Sequence, residues 1–271
     1  MTRRAYTQRA SGGGSSSRLI IGIVLAVIAL ISYFSSQQYN PVTGENQYIS
    51  ITPDQEIALG LQSVPSMFQE FGNEVRDPQI AALVENVGQS LVRGSIANQT
   101  EWEWDFHAID NDQVINAFAL PGGQVFITTA LLNEFNSEDQ LAGVLAHEIV
   151  HVLARHSAQQ IAKSDLTNGL VGAIAVASEN ASAAQTAAMI GQLVNMSYGR
   201  DAEIQSDTFG VCLMASAGYD PEAMIEVMQI LASAGGGSGQ PEFFSTHPNP
   251  DNRIARIQET IQNIDTACAV Q

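Results

Sequence analysis

Residues 147–151 read His-Glu-Ile-Val-His, and this short run carries the clearest chemistry in the sequence. It lies in an apolar stretch with helical periodicity, where side chains four positions apart share one face. His147 and His151 can therefore hold one metal ion between their imidazole rings, and zinc suits such ligands. Glu148 can lie beside the metal and accept a proton from water. The alternative is a structural helix with a coincidental pair of histidines.

A zinc site that also binds substrate needs three protein ligands and one open position. The later segment Glu203-Ile-Gln-Ser-Asp207 has helical spacing, which places its two carboxylates on one face. Glu203 can be the third ligand, and Asp207 can accept a hydrogen bond from the second ring nitrogen of a liganding histidine. Such carboxylate pairs are also typical of a solvated helix face, so these residues alone leave both interpretations open.

The two histidines are predicted to lie on one long helix. Ser137, with Gln140 three residues later, fits a capping box at its start, and the helix is expected to run to about Lys163. On one continuous helix His156 would lie on the side opposite the metal, so we expect that it is not a ligand. His107, on a predicted strand, is likewise expected to be structural.

Three short strands are predicted just before this helix. Residues 102–108 alternate apolar and polar side chains, residues 114–120 can form a second strand, and residues 124–128 a third. Turn-forming residues separate the three, which predicts a small antiparallel sheet beside the metal-binding helix. Helices are expected to begin at Thr52-Pro53 and Asp77-Pro78, because an N-cap residue followed by Pro is a helix start signal. The predicted fold class is therefore α+β and mainly helical.

The N-terminal part of the chain predicts a membrane anchor. Residues 1–18 are polar and basic and are expected to be a disordered tail, and residues 19–36 form an uncharged transmembrane segment. A cleaved signal peptide is the alternative, but Tyr33 and Phe34 stand where cleavage requires small residues. Arginines precede the segment, which predicts a cytoplasmic N-terminus and a domain on the other side of a bacterial inner membrane.

The remaining sequence predicts one domain at residues 51–265, joined to the anchor by a linker at residues 37–50 and followed by a tail at residues 266–271. Residues 166–196 are rich in Ala, Gly and Ser. Their longest apolar run is too short for a second span, which leaves two closely packed helices or a mobile flap. Residues 235–240 are expected to be a flexible loop.

The charge and the cysteine content of the sequence argue against two classes of protein, nucleic-acid-binding domains and disulfide-rich scaffolds. All 28 acidic residues follow position 44, against seven basic residues, so the domain is not expected to bind nucleic acid. The two cysteines exclude a disulfide-rich scaffold. We expect Cys212 and Cys268 to be buried and unpaired, with pairing in an oxidising compartment as the alternative.

The order of the motifs adds specificity. HEIVH at 147–151, ExxxD at 203–207, the preceding NAFALPGG and the following STHP together resemble the metallopeptidase family that contains the CAAX prenyl proteases and the HtpX-like and BepA-like proteins, over roughly residues 50–265. The resemblance implies a zincin-type domain of the gluzincin kind. It also implies one Zn²⁺ per chain bound by His147, His151 and Glu203, with Glu148 as the catalytic base. Where the family often has E-x-E-A-D, this chain has Gln and Ser at the third and fourth positions, but the ligand and the aspartate remain.

The resemblance extends to residues outside these two motifs. Asn116, Gly122 and Gly123 are expected to line the cleft as a sheet edge to which an extended substrate adds a strand, with an ordinary β-turn as the alternative. His247 is expected near the zinc, either as a donor to the oxyanion or in the open ligand position of a latent state. Arg253 is expected to brace Asp207 or another carboxylate.

These inferences predict a membrane-anchored zinc metalloendopeptidase that hydrolyses polypeptides, including misfolded envelope proteins, with Glu148 moving the proton. The alternative is a chaperone-like or adaptor protein in which zinc only stabilises the fold. A protease of the CAAX type that works inside the membrane is disfavoured, because one predicted span cannot build an intramembrane chamber.

Overall fold

The computed structural model describes residues 14–177, 198–234, 242–248 and 252–269. This part of the chain is mainly helical with two small sheets, which confirms the predicted fold class. The loop predicted at residues 235–240 lies outside the described residues, as do residues 178–196 of the stretch rich in Ala, Gly and Ser. The helices are α1 (Gly14–Ser35), α2 (Pro53–Phe71), α3 (Pro78–Arg93), α4 (Thr129–Leu132), α5 (Glu138–Leu153), α6 (His156–Ala177), α7 (Arg200–Ala217), α8 (Ala223–Ala234), α9 (Phe243–Thr246), α10 (Arg253–Gln262) and α11 (Ile264–Ala267).

The sheet beside α5 is mixed. Its strands are β3 (Asp105–Ile109), β4 (Ala117–Ala119) and β5 (Gln124–Thr128), in the order β3-β5-β4. The predicted antiparallel pairing is confirmed for β4 and β5, whereas β3 runs parallel to β5. After β3 the chain crosses to the far edge of the sheet to form β4, and it then turns back to form β5 between the other two strands. β5 therefore runs opposite to β4 and in the same direction as β3. The strand predicted at residues 114–120 is shorter than expected.

Helix α5 lies at the centre of the domain. Every residue from Gln140 to Leu153 is buried, and the helix packs against α3, α7 and α8. It begins as predicted, because the side-chain oxygen of Ser137 accepts a hydrogen bond from the Gln140 amide at 3.3 Å. The Gln140 side chain accepts from the amide of Asn136 at 2.7 Å rather than from that of Ser137, so the reciprocal half of the capping box is shifted by one residue.

The helix predicted to continue to Lys163 is interrupted. α5 ends at Leu153, and α6 begins at His156 after a two-residue break. Arg155 at the break has a φ of 54°, a left-handed conformation that costs free energy for a residue with a side chain. Its guanidinium offsets that cost by pairing with buried Glu56 and by donating to the Ile51 carbonyl at 3.1 Å.

The segment predicted as a linker, residues 37–50, contains a β-hairpin instead. Its strands are β1 (Gln37–Asn40) and β2 (Glu45–Tyr48). The Asn40 side chain donates to the carbonyl of Leu153 at 2.8 Å, so the hairpin supports the end of α5. Residues 14–18 of the predicted disordered tail belong to α1.

Helix α1 and helix α6 pack along each other. Within the described residues, Ser16–Ser35 is the single stretch long and apolar enough to cross a membrane, by length and composition.

The prediction that the cysteines are unpaired is wrong. Cys212, near the end of α7, forms a disulfide with Cys268, immediately after α11. Their spatial proximity arises because α10 folds back across α7, which a sequence separation of 56 residues does not reveal.

Candidate metal centre

The three side chains of the first motif meet at one buried point. His147, Glu148 and His151 of α5 are 4%, 0% and 1% exposed. Glu203 and Asp207, one turn apart on α7, face them and are equally buried. Burial excludes the solvated-face interpretation of this carboxylate pair, since isolated charges cannot be removed from water without partners.

His147 is held by a charged support on the α7 side. Its Nδ1 lies 3.0 Å from Oδ1 of Asp207, and Arg253 donates to both oxygens of that carboxylate at 2.7 Å. Burial opposes protonation of His147, but its hydrogen bonds to Asp207 and Glu203 and their charges raise its pKa to about 9. Burial opposes ionisation of Asp207, but the charges of Arg253 and His147 and their hydrogen bonds together lower the pKa of this carboxyl. This part of the site therefore favours a positive charge at the ring of His147.

His151 is held by a neutral support that begins after the break in the helix. Its Nδ1 lies 3.0 Å from Nδ1 of His156, whose Nε2 lies 2.9 Å from Oε1 of Gln205. Gln205 in turn donates from Nε2 to Oε2 of Glu45 in β2, at 3.0 Å. Burial lowers the pKa of His156 to about 4, so this imidazole is neutral near pH 7.

The direction of this chain of bonds fixes the tautomer of His151. A carboxylate only accepts, so Gln205 presents its amide nitrogen to Glu45 and its oxygen to His156. His156 then donates from Nε2 and accepts at Nδ1, which makes His151 donate from Nδ1. The Nε2 of His151 is left with a lone pair directed at the Nε2 of His147, 3.0 Å away. Such a contact requires a proton or a metal cation between the rings.

The donor set fits a tetrahedral metal ion. Nε2 of His147 lies 3.4 Å from an oxygen of Glu203 and 3.4 Å from Nδ1 of His247, and Nε2 of His151 lies 3.5 Å from Glu203. Zinc bonds of about 2.0–2.1 Å in a tetrahedron imply ligand separations of roughly 3.3 Å. The four ligand atoms all lie within 4.8 Å of one another. The arrangement therefore accommodates one ion with four protein ligands.

His247 is the fourth member of this set. It follows α9, and its ring stacks on Phe243 with centroids 4.5 Å apart. Its Nδ1 is 3.2 Å from Glu203, while its Nε2 points toward Glu148 at 3.6 Å. The side chain is completely buried, so in this conformation His247 occupies the place that an open zinc site reserves for water and substrate.

Glu148 is available for proton transfer. Among the described residues neither of its carboxylate oxygens has a hydrogen-bond partner, although both are buried. Burial raises the pKa of this carboxyl above its ordinary value, and the electrostatic interactions with His247 and His147 oppose the rise.

The three residues predicted to bind substrate flank strand β4: one precedes the strand and two follow it. Asn116 is buried immediately before β4, and its backbone N–H donates to the hydroxyl oxygen of Thr128 at 3.1 Å. Gly122 and Gly123 have φ values of 84° and 115° and lie where added Cβ atoms would collide with the backbones of Ile57 and Glu103. Close packing against α2 and the chain before β3 therefore accounts for both glycines.

Three contributors to the site were not predicted from the sequence: His156, Gln205 and Tyr198. The expectation that His156 faces away from the metal is wrong, because the break at Arg155 rotates it toward His151. Tyr198 packs its ring on His151 with centroids 4.2 Å apart. The spacing of Gln205 gives no such signal, because a residue two positions after a ligand is turned by about 200° around the helix.

Comparison with known proteins assigns this arrangement to a family. The model of Peptidase family M48 matches residues 78–261, which include all four candidate ligands. The chain belongs to Peptidase family M48. The predicted family resemblance is thereby confirmed.

Relatives within the M48 family come from mitochondria and from bacteria. Mitochondrial metalloendopeptidase OMA1 of Schizosaccharomyces pombe is 30% identical over 231 residues, covering 84% of this chain and 68% of the relative. The beta-barrel assembly-enhancing protease of Escherichia coli K12 is 37% identical over 191 residues, or 67% of this chain. The corresponding protease of Yersinia pestis is 31% identical over 251 residues, or 89% of this chain. The matches cover only 39% and 51% of these two bacterial relatives. Family and relatives together identify this M48 member as a metalloendopeptidase.

Proposed function

We propose that the protein is a membrane-anchored zinc endopeptidase in which His147, His151 and Glu203 hold the metal and Glu148 is the catalytic base. The observation that carries the proposal is the buried cluster of four ligand atoms within 4.8 Å, beside the carboxylate of Glu148, which accepts no hydrogen bond from the described residues. Histidine and glutamate ligands with one exchangeable position are typical of catalytic zinc.

The side chains of the site move one proton in two steps. A bound zinc ion supplies a Lewis acid that polarises the scissile carbonyl and makes water more acidic. Glu148 accepts the proton of the attacking water at a carboxylate oxygen and then delivers it to the nitrogen of the leaving amine. Asp207, through Nδ1 of His147, and His156, through Nδ1 of His151, keep the two Nε2 atoms free to bind the metal.

The conversion of Glu148 to Gln tests this mechanism against the alternative of a chaperone or adaptor with a structural zinc. Gln retains the shape of the side chain but cannot accept the proton, so casein hydrolysis is expected to fall by at least about 10²-fold. Zinc content, measured by atomic absorption, is expected to remain at one ion per chain. No casein hydrolysis by the zinc-loaded wild type would favour the adaptor, whereas chelator-resistant hydrolysis or unchanged hydrolysis by Glu148→Gln would contradict the mechanism.

His247 is proposed to keep the site latent. Its Nδ1 lies at the fourth ligand position, so it must leave before water and a substrate carbonyl can approach. Conversion of His247 to Ala is therefore expected to increase the initial rate of casein hydrolysis. If His247 instead donates to the oxyanion, the same change lowers the rate by about 10²- to 10³-fold. The sign of the change in rate decides between the two roles, and zinc content controls for loss of the metal.

The substrate is proposed to bind along the edge strand β4. This strand is paired on one side only, with β5, and it packs against α5, which carries Glu148. An extended polypeptide can add to such an edge through main-chain hydrogen bonds. Asn116 at the start of the strand has a buried side-chain oxygen with no hydrogen-bond partner among the described residues, which suits it to positioning the peptide. Gly122 and Gly123 allow the tight turn that ends the edge strand.

Membrane attachment is proposed through α1, with the N-terminus in the cytoplasm and the peptidase domain outside it. Ser16–Ser35 is uncharged apart from Arg18 near its start, which agrees with that orientation. The relatives named as beta-barrel assembly-enhancing proteases are bacterial, and they support a role in the quality control of envelope proteins at a bacterial inner membrane. Carbonate extraction tests the anchor, since an integral protein stays in the membrane pellet.

A further inference from the structure

The second half of α6 runs back along α1 in close contact. A Cβ atom added to Gly22 of α1 would lie 2.6 Å from the Cβ of Ala177, and one added to Gly169 of α6 would lie 2.8 Å from the Cβ of Ala29. Later residues of α6 meet earlier residues of α1, so the two helices are antiparallel. Small residues at a helix interface permit this approach, as they do between membrane helices. Residues 166–177 therefore share the depth of the apolar part of α1.

The last two turns of α6, residues 170–177, are also apolar on their free side. Lys163 and Asp165 are the last charged residues before an uncharged run at residues 166–177. The side chains of Ile174 and Val176 are 42% and 37% exposed, although both belong to the core-forming class. A solvated helix would place polar residues at such positions.

The opposite end of the α1–α6 helix pair, at the C-terminus of α1, has the features of a membrane–water boundary. The rings of Tyr33 and Tyr48 stack with centroids 4.5 Å apart, and Phe34 packs edge-on to Tyr48 at 5.8 Å. Asp165 accepts a hydrogen bond from the hydroxyl of Ser50 at 3.0 Å, near the same end of α1. Aromatic rings and the first charged residues commonly mark the interface at which a helix leaves the lipid.

We propose that residues 166–177 of α6 enter the bilayer beside α1 and that Ile174 and Val176 contact lipid acyl chains. The proposal rests on the membrane attachment through α1 proposed above. At 1.5 Å per residue, this run penetrates about 18 Å, more than half of a hydrocarbon core of about 30 Å. A groove of about 510 Å³ between the two helices, lined by Leu25, Ile28 and Leu166 among others, offers room for an acyl chain.

Such insertion brings the metal centre close to the membrane. α6 begins at His156, which contacts the metal-binding His151, and reaches the uncharged run ten residues later. Ten helical residues span about 15 Å, so the site lies roughly that far above the point where α6 enters the lipid. The substrates it reaches are accordingly polypeptides at the membrane surface.

Spin labelling of the full-length chain in phosphatidylcholine–phosphatidylglycerol nanodiscs tests the proposal. A single cysteine is introduced at Ile174, with Ile28 of α1 as the lipid reference, Gln229 of α8 as the water reference and Lys163 of α6 as the boundary. Because the native cysteines are joined in a disulfide, the nitroxide reacts only with the introduced residue. Power-saturation measurements compare collision with oxygen, which concentrates in lipid, and with a water-soluble nickel chelate.

The expected result is that the label at Ile174 matches that at Ile28, with oxygen access high and nickel access low, while Lys163 lies between the two references. A label at Ile174 that behaves like Gln229, with Ile28 still in lipid, overturns the insertion of α6 and leaves the anchor intact. If Ile28 is itself accessible to nickel, the proposed attachment through α1 fails, and the insertion of α6 fails with it.

Discussion

The two liganding histidines are held by chemically different supports. On one side Asp207 and Arg253 form a buried ion pair behind His147. On the other side His156 and Gln205 form a neutral chain behind His151, which reaches the surface at Glu45. Both supports bind Nδ1 and direct the Nε2 of their histidine at the same point, where the two Nε2 atoms lie 3.0 Å apart. The structure thus achieves one result, a fixed ring orientation, in two ways.

The two supports differ in the charge that they carry, and therefore in their effect on stability and on metal affinity. A carboxylate adds negative charge that attracts a cation, and it requires a buried partner, here Arg253, so its removal affects folding as well as metal binding. A neutral acceptor carries no net charge and supplies only direction. We therefore expect the charged support to contribute to stability and metal affinity together, and the neutral support to contribute chiefly to affinity.

The largest effect is expected for Asp207→Asn. The new amide places N–H groups against either Arg253 or His147, so one of the two contacts is lost whichever way the amide turns. We expect zinc affinity, measured by chelator competition, to fall by about 100-fold. The free energy of unfolding in urea is expected to fall by about 3 kcal/mol, the lower end for a broken buried pair, because Glu203 still lies 3.1 Å from Arg253.

Asp201→Asn is the matched control, because Asp201 is exposed on the same helix and undergoes the same chemical change. It should leave both quantities unchanged. If Asp207→Asn lowers stability without lowering zinc affinity, the charged support only stabilises the fold.

A smaller and more selective effect is expected for His156→Leu. The apolar side chain fills similar space but offers no acceptor to Nδ1 of His151. The ring of His151 is then free to place its proton on Nε2, and zinc affinity should fall by about tenfold, the low end for such a contact. Unfolding in urea should shift less than for Asp207→Asn, because no buried charge loses its partner.

The variant His156→Asn tests the hydrogen bond to His151 separately from the volume of the side chain. The oxygen of Asn can reach the position of Nδ1 but not that of Nε2, so it restores the acceptor for His151 without the contact to Gln205. Recovery of zinc affinity toward the wild-type value would show that the accepted hydrogen bond is what His156 supplies. Equal affinities for the Leu and Asn variants would contradict a positioning role.

The charged support was accessible from the sequence and the neutral one was not. Glu203 and Asp207 lie four residues apart on one uninterrupted helix, so spacing alone predicts that they share a face. His156 follows Arg155, whose left-handed φ depends on contacts with Glu56 and Ile51, about a hundred residues away. Helical periodicity carried across that break places His156 on the wrong side.

The same distinction applies to the fold. Capped helix starts at Thr52, Asp77 and Ser137 were predicted correctly, because the capping contacts are local. The parallel pairing of β3 with β5 and the disulfide between Cys212 and Cys268 were not, since both depend on how distant segments return to one another. Sequence patterns within one segment carry no information on how distant segments pack against each other.

The smallest effect is expected for Glu45→Ala, at the surface end of the neutral support. Glu45 is exposed, and its contribution to His151 is indirect: it holds the amide nitrogen of Gln205, so that the oxygen faces His156. Without it the amide of Gln205 is free to turn over, yet water can take the place of the carboxylate as acceptor. Zinc affinity should therefore change by less than about twofold, as for most exposed substitutions. A loss as large as that of His156→Leu would mean that the direction of the whole chain is set by the hairpin that follows α1. The charged support would then be anchored within the core of the domain, and the neutral one at its surface, on the β1–β2 hairpin.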